Sequence, residues 1–417
     1  MSNIKSQLSI AAVSTYYNLL CKPRILRRIR RQERVNVVFF VVNVAMWKYD
    51  GFFRLLQQDP RFHPMVVAFL YPGDKEEDRR EEQERMRAYF SDKGYPFYAS
   101  YCFESGEFLD IKSLQPDIVF YAQPYDDGYA PFRIRALMNR CLFAYIPYCY
   151  NMEDKPDFFN RLLHSVAWRL FLPTEHHAAM VALHAFSHGR NVVVSGYPMT
   201  DRFLSAETSG ESPWKEKDPG LKRVVWAPHH SVVKGELLEQ SSFLELAQGM
   251  LELARKYQGK IQFVLKPHPR LRPKLHRLPA WGWERTEAYF KAWEALPNAA
   301  LSQGDYVRIF QESDALLHDC SSFMGEYLFF GKPVSFLADK AVVSTYLNDF
   351  GKACLSCHYQ TTTIDAIDAF LTEVVLEGND PMKPAREAFR KQLTGGEDRS
   401  VAQRLYDDFT SALTTPS

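Results

Sequence analysis

The chain has 417 residues, 46% of them hydrophobic, and a formal net charge of +1 at pH 7, which predicts two or three domains with sizeable cores. The near-neutral charge and the absence of a known motif argue against nucleic-acid binding. No apolar run approaches the ~20 residues of a membrane-spanning helix, and the first twenty residues do not resemble a signal peptide, so we expect a cytoplasmic protein.

Residues 1–34 carry a local excess of positive charge. Seven Lys and Arg residues lie between Lys22 and Arg34, against a single acid, Glu33. The preceding segment, Ala11 to Leu20, is largely apolar, and an apolar segment followed by basic residues is typical of surfaces that bind anionic lipid. We expect a basic N-terminal arm in peripheral contact with the inner face of the cell membrane; a nucleic-acid patch and a solvated arm are the alternatives.

Residues 35–197 alternate between predicted strands and helices. The run Val35 to Val42 is apolar except for Asn36 and rich in β-branched residues, which predicts a central parallel strand buried on both faces. A charged helix, Glu76 to Lys93, follows the second strand, and later strands are predicted at Asp117 to Tyr121 and Leu142 to Ile146. This alternation predicts a doubly wound parallel sheet.

The remaining chain repeats the architecture. Residues 198–222 are rich in Ser, Gly and Pro, which is typical of a linker. Residues 223–362 alternate again, and residues 363–417 are predicted to be helical. The sequence therefore predicts an α/β protein of the GT-B type, in which two Rossmann-type domains face a cleft, with a helical C-terminal tail.

Polar residues follow three predicted strands of the second domain. His229 and His230 follow the first, Lys266-Pro-His268-Pro-Arg270 the second, and Asp319-Cys-Ser321-Ser322 the third. The carboxyl ends of parallel strands meet at one edge of a sheet, where ligands bind. Basic residues, imidazoles and hydroxyls gathered there suit a diphosphate.

A helix is predicted after the third of these strands. Ser321 and Ser322 open it and Gly331 closes it. Serine is a favoured N-cap, and a helix start offers N–H groups to an anion. An ordinary capped helix in a βαβ unit is the alternative interpretation.

Metal binding is not expected. Only Cys354 and Cys357 among the seven cysteines form a CxxC pair. One such pair without a second pair or a suitable histidine is weak evidence for zinc, so structural or incidental thiols are the preferred interpretation. No Asp-x-Asp motif stands convincingly at a strand end, and we expect no obligatory cofactor.

The motifs of residues 223–337 resemble those of the CDP-glycerol glycerophosphotransferase family. The resemblance rests on Lys-Pro-His-Pro and, roughly fifty residues later, on Ser-Asp-(apolar)₃-His-Asp-Cys-Ser-Ser-Phe-x-x-Glu-Tyr-Leu-x-x-x-Lys-Pro-Val. It implies transfer of glycerol phosphate or ribitol phosphate from a CDP-activated donor during synthesis of teichoic acids and capsular polymers. It further implies that His268, Ser321 and Ser322 contact the donor phosphates, and that Glu326 lies in the helix that faces the ribose.

One family motif is missing. Members carry His-Gly-Thr-Pro in the first domain, and the histidine of that motif is the presumed base. We find no equivalent and expect Asp126, after the strand Asp117 to Tyr121, to replace it; the alternative is that Asp126 and Asp127 shape their own turn. The expected catalytic residues are His268, Asp126 and His230, and the expected donor-binding residues are His229, Lys266, Arg270, Asp319, Ser321, Ser322 and Glu326.

The sequence thus predicts a transferase with a nucleotide-activated donor and a polysaccharide or lipid-linked acceptor. Lys266, His268 and the helix start would stabilise negative charge on the leaving nucleotide. One alternative is a glycosyltransferase that uses a UDP- or CMP-sugar. The other is a nucleotide- or polymer-binding scaffold without activity, which the missing motif keeps open.

Overall fold

The computed structural model describes residues 2–205, 212–215, 218, 220–233, 241–302, 305–394 and 399–414. The chain divides into two units. The first comprises Met1–Tyr150, Lys155–Asp201 and Glu397–Ser417, and the second comprises Asn151–Asp154 and Arg202–Gly396. Part of the predicted linker, namely residues 206–211, 216, 217 and 219, lies outside the described residues.

The first unit is built on a parallel sheet. In its described part the strand order is β3-β2-β1-β6-β7-β8-β9. The chain reverses its winding direction between β1 and β6, as expected for a doubly wound fold. The strands, including a separate antiparallel hairpin of β4 and β5, are β1 (Val35–Val41), β2 (Phe62–Ala68), β3 (Phe97–Tyr98), β4 (Tyr101–Cys102), β5 (Glu107–Phe108), β6 (Ile118–Tyr121), β7 (Leu142–Tyr145), β8 (Arg169–Leu172) and β9 (Val192–Val194).

The second unit repeats this topology in its described part. Its parallel strands follow the order β12-β11-β10-β13-β14-β15. The reversal lies between β10 and β13, which pair directly, with Ala227 opposite His318. The strands are β10 (Lys222–Ala227), β11 (Ile261–Leu265), β12 (Ala299–Leu301), β13 (Ala315–His318), β14 (Val334–Phe336) and β15 (Tyr359–Gln360).

Helices pack on the sheets, and three of them are extended by a 3₁₀- or π-helical segment. A π segment, Tyr17–Cys21, joins the first two helices, a 3₁₀ segment, Tyr327–Phe330, extends α14, and a π segment, Phe370–Leu376, extends α17. Within the described residues, no helix is both long and apolar enough to cross a bilayer. The helices are α1 (Ser2–Tyr16), α2 (Lys22–Ile29), α3 (Asp50–Gln58), α4 (Glu76–Asp92), α5 (Ile134–Leu137), α6 (Pro156–Phe159), α7 (Leu162–Val166), α8 (Glu175–His184), α9 (Thr200–Leu204), α10 (Phe243–Lys256), α11 (Leu271–Arg277), α12 (Gly282–Glu294), α13 (Val307–Glu312), α14 (Ser321–Glu326), α15 (Lys340–Ser344), α16 (Asp349–Ser356), α17 (Ile364–Ala369), α18 (Lys383–Thr394) and α19 (Val401–Thr414).

Most of the predicted basic N-terminal arm, residues 1–34, is helical and packs on the first unit. Tyr17, Cys21, Ile25 and Ile29 recur every four residues and are buried, because residues at this spacing share one helix face. One residue of the basic cluster also contributes an ion pair that stabilises the fold. Arg28 forms an ion pair with the buried Asp117 carboxylate at 2.7 Å.

The predicted C-terminal tail, residues 363–417, is divided between the two units. Helices α17 and α18 belong to the second unit, whereas α19 belongs to the first. Along α19 the apolar residues Val401, Leu405, Phe409 and Leu413 are buried at four-residue spacing. Their aromatic member packs on Phe120 of the first sheet, with ring centroids 5.7 Å apart, so burial of this face assigns the last helix to the first unit.

Candidate functional site

The reversal point of the second sheet gathers most of the predicted site residues. The carboxyl ends of β10 and β13 lie side by side there, and β11 pairs with the other side of β10. In open α/β sheets the loops that follow the two strands at this point run in opposite directions. They leave a crevice outside the carboxyl ends of the strands, in which a ligand can bind. The predicted polar strand ends therefore belong to one edge of one sheet.

Three histidines form a cluster at this edge. The ring centroids of His229 and His230 are 4.2 Å apart, those of His230 and His268 also 4.2 Å, and those of His229 and His268 5.1 Å. Two of them follow β10 and the third follows β11. The cluster confirms that these two strand ends converge, and we refer to it as the histidine cluster.

Hydrogen bonds fix the tautomers of two of these imidazoles. Nδ1 of His268 accepts the amide N–H of Arg270 at 3.1 Å, and Nδ1 of His229 accepts that of Ser231 at 3.3 Å. A neutral imidazole that accepts through one nitrogen carries its proton on the other. Both Nε2 atoms are therefore N–H donors.

Two histidines of the cluster, His229 and His268, are held neutral. Burial, reinforced by neighbouring imidazoles and cations, lowers the pKa of His229 to about 3 and that of His268 to about 2. Loss of hydration disfavours the imidazolium form. Neutral Nε2–H groups can donate hydrogen bonds to an anion at any physiological pH.

Lysine and arginine side chains surround the histidine cluster. Lys266 is only 8% exposed, and its charge, like that of Arg270, acts on His268. Lys274 on α11 acts on His229 in the same way and was missed in the sequence because α11 was not predicted. Pro273 lies in the first turn of α11, where proline is tolerated because the N–H groups there have no helical partner.

The same three histidines could hold a metal ion by distance alone. One ring nitrogen from each lies within 4.8 Å of the others in the described part of the chain. Histidine ligands normally donate the N–H of their second nitrogen to a carbonyl or carboxylate. In His229 and His268 the second nitrogen accepts instead, which favours an anion at this cluster.

Asp319, which was predicted to bind the donor, lies with its carboxylate in the protein interior. Its carboxylate is fully buried, and its oxygens accept the amide N–H groups of His229 at 2.5 Å and Ser242 at 2.9 Å. Burial raises the pKa of Asp319 to about 6, although the amide donors oppose the shift. Asp319 is a positioning residue that ties the histidine loop to the start of α10.

The start of α14 also differs from the expected serine cap. Cys320 occupies the N-cap position, and its side chain makes no capping hydrogen bond. Ser321 and Ser322 are the first two helical residues and are partly exposed. The two serines therefore lie at the helix start as predicted, but they do not cap it.

Glu326 lies at the end of the same short helix. Its side chain is 2% exposed and is hydrogen-bonded to the hydroxyl of Tyr306. Tyr306 follows β12 and was not among the predicted site residues. Its only sequence signal is its position after a predicted strand.

Asp126 in the first unit has a local structural partner. It follows β6, and one carboxylate oxygen accepts the amide N–H of Ile134 at the start of α5, at 2.8 Å. Burial raises the pKa of Asp126. The observed bond matches the alternative interpretation of a carboxylate that shapes its own loop.

The CxxC pair lies in the second unit, with Cys354 on α16 and Cys357 directly after it. Cys354 and Cys357 are free thiols and both are buried. The carbonyl oxygen of Cys354 accepts the Nδ1–H of the buried His358 at 2.9 Å. His358 in turn contacts His318, with ring centroids 5.2 Å apart, so the segment packs within the core.

Comparison with protein families gave one match. The family described as CDP-glycerol:poly(glycerophosphate) glycerophosphotransferase covers residues 150–409, which is more than half of the chain. Curated proteins show no significant similarity in sequence.

Solved structures share the fold at low sequence identity. A complex of MnaA from S. aureus with UDP is similar with a TM-score of 0.58 at 16% identity, over 93% of this chain and 99% of that chain. The UDP-GlcNAc 2-epimerase of Neisseria meningitidis gives 0.54 at 14%, over 91% and 100%. The wall teichoic acid polymerase TagF gives 0.56 at 13%, over 98% of both chains. The GT-B-like fold with two Rossmann-type domains is confirmed.

Proposed function

Because the chain belongs to the CDP-glycerol:poly(glycerophosphate) glycerophosphotransferase family, we propose that it transfers glycerol phosphate, or a related polyol phosphate, from a CDP-activated donor. The acceptor is a growing surface polysaccharide or teichoic-acid-like polymer. The observation that carries this proposal is the histidine cluster, with its Nε2–H donors and surrounding cations, at the reversal point of the second sheet.

The chemistry of the cluster matches a diphosphate. A nucleoside diphosphate ester carries negative charge on both phosphates, and charge-assisted hydrogen bonds to such oxygens are about twice as strong as neutral ones. Lys266 is buried beside His268, so its charge is little screened by water. Neutral imidazoles add donors without the cost of burying further charge.

The proposed reaction is phosphoryl transfer with CMP as the leaving group. The acceptor hydroxyl oxygen forms a bond to the phosphorus that carries glycerol, and the bond from that phosphorus to the bridging oxygen breaks. CMP leaves with the electron pair, and the proton of the acceptor hydroxyl passes to a base. Donors fixed around the bridging oxygen stabilise the charge that grows there, which is the main protein contribution in such transfers.

A donor panel tests this function. The purified protein is incubated with CDP-glycerol, CDP-ribitol, UDP-GlcNAc and a CMP-sugar, with and without a teichoic-acid-like acceptor, and nucleotide release is followed. We expect acceptor-dependent CMP release from a CDP-polyol alone. Turnover of a nucleotide sugar instead would establish the glycosyltransferase alternative, and CDP binding without turnover of any donor would indicate a scaffold.

We further propose that the N-terminal helix binds an anionic membrane surface peripherally. Leu8, Tyr16, Leu19 and Leu20 form an exposed apolar stripe along this helix, which we call the N-terminal stripe. Its C-terminal continuation carries exposed basic residues, including Arg27. Apolar side chains can enter the headgroup region while arginines pair with lipid phosphates.

Vesicle binding tests the membrane proposal. Replacing Leu19 and Leu20 by Glu should weaken binding to vesicles rich in phosphatidylglycerol by at least about tenfold, because two leucines lose their burial in lipid. Leu183→Glu is the matched control, since Leu183 is as exposed as Leu19, at 72% against 70%, but lies on α8. Equal binding to neutral vesicles, or equal loss in the control, would contradict the proposal.

A further inference from the structure

Tyr306 lies next to the proposed donor site without belonging to any motif discussed above. It stands between the end of β12 and the start of α13. Strand β12 pairs with β11, so its carboxyl end adjoins the strand end that carries Lys266 and His268. The residue thus comes from a fourth strand end at the same edge of the sheet.

The hydroxyl of Tyr306 has a specific partner in Glu326. The two side chains are hydrogen-bonded, and burial together with the negative charge of Glu326 raises the pKa of Tyr306 well above its usual value. The phenol therefore stays protonated and donates to the carboxylate. A carboxylate that is 98% buried needs such a donor, because an unsatisfied buried charge is strongly destabilising.

The ring of Tyr306 has a second partner in Lys266. The Lys266 ammonium lies 6.0 Å from the ring centroid, at the outer limit of a cation–π contact. The ring is itself held by aromatic neighbours, with centroids 5.1 Å from Phe323 and 5.2 Å from Phe310. One rigid side chain thus lies against two of the ionisable residues that the donor is expected to meet, Lys266 and Glu326.

We propose that Tyr306 is a positioning residue for the nucleotide donor, because its hydroxyl orients Glu326 toward the ribose while its ring orients Lys266 toward the diphosphate. The inference rests on the proposed function. It adds a residue that acts through its two neighbours and makes no direct contact with the reacting phosphorus.

Removal of the hydroxyl alone tests this role. Tyr306→Phe keeps the ring and should raise the KM for CDP-glycerol about tenfold with little change in kcat, since a hydrogen bond to a charged group contributes on that order. The sharper readout is the affinity ratio between CDP and 2′,3′-dideoxy-CDP, measured by calorimetry. We expect wild type to prefer CDP and the variant to lose most of that preference, because Glu326 no longer has a fixed orientation.

Two further variants separate positioning from a general structural effect. Tyr289→Phe removes another buried hydroxyl, one that donates to the carbonyl of Ala247 at 2.8 Å, and it should leave the ratio unchanged. Adding Tyr306→Phe to Glu326→Gln should weaken CDP binding less than Tyr306→Phe does in wild type, because changes that act through one group are not additive.

The outcomes distinguish this inference from the function on which it rests. Failure of wild type to bind CDP would overturn both. If wild type binds CDP and the Tyr306→Phe variant keeps the wild-type affinity and ratio, only the positioning role is overturned. Full additivity of the effects of Tyr306→Phe and Glu326→Gln on CDP binding would likewise overturn only the positioning role.

Discussion

Replacing His268 by Ala should lower polyol phosphate transfer by a factor of roughly 10²–10³, the usual effect of removing one fixed donor from a site that stabilises developing negative charge. The Nδ1 atom of His268 is already occupied by the amide N–H of Arg270, so Nε2–H is the group that the ligand loses. Thermal unfolding and the far-UV circular dichroism spectrum should stay close to wild type, because the side chain is partly exposed.

The position of the donor atom can be tested with two amide substitutions. The amide nitrogen of Gln reaches about as far as Nε2 of histidine, whereas that of Asn lies near the position of Nδ1. We expect His268→Gln to retain more transfer than His268→Asn, with the alanine variant lowest. Full activity of the alanine variant, or the reverse order of the amides, would contradict the assigned tautomer.

The second large effect is expected in the pH dependence of stability. His318 and His358 are fully buried in the second unit. Burial lowers the pKa of His318 to about 3 and that of His358 well below its usual value. Each pKa is thus lower in the folded than in the unfolded state, where it lies near 6.5. The unfolded state binds more protons as pH falls below 6.5, and stability must decrease in that direction.

Each fully shifted histidine contributes about 1.4 kcal/mol per pH unit to this slope between about pH 6 and pH 4. His229 and His268 add to it, whereas Asp319 opposes it, because a raised carboxyl pKa lets the folded state take up a proton below pH 6. The slope of the free energy of unfolding against pH should therefore be steep and positive in this range.

Removing one buried imidazole shows how much a single histidine contributes to the slope of the free energy of unfolding against pH. In His358→Leu the slope, measured from urea unfolding at several pH values, should fall by about 1.4 kcal/mol per pH unit. His188→Asn is the control, since His188 is exposed and has a positive φ of 48°, a conformation that asparagine tolerates. An unchanged slope in His358→Leu would show that His358 is not a buried neutral base.

The strands and their polar ends could be predicted because the signal is local. Largely apolar runs such as Val35–Val41 mark buried parallel strands, and parallel topology alone brings the residues after β10, β11 and β13 to one edge. The doubly wound parallel character of both sheets follows from the right-handed crossovers of alternating strands and helices. The histidine cluster was therefore within reach of the sequence.

The roles of individual side chains depend on long-range contacts and were less predictable. Asp319 has the chemistry of a ligand-binding residue, yet both oxygens accept backbone N–H groups from another loop. Tyr306 carries no motif, and its importance arises only from the proximity of Glu326 and Lys266. The N-terminal helix was not predicted, because the positive charge of this segment is easier to see in the sequence than the four-residue spacing of Tyr17, Cys21 and Ile25.

The central claim is that the second unit recognises a diphosphate through the histidine cluster. Calorimetric comparison of CDP with cytidine tests it most directly, in wild type and in His268→Ala. Two charge-assisted hydrogen bonds should make CDP bind about a hundredfold tighter than cytidine in wild type, and much of that difference should vanish in the variant. Equal affinities for CDP and cytidine, or an unchanged difference in His268→Ala, would contradict the account.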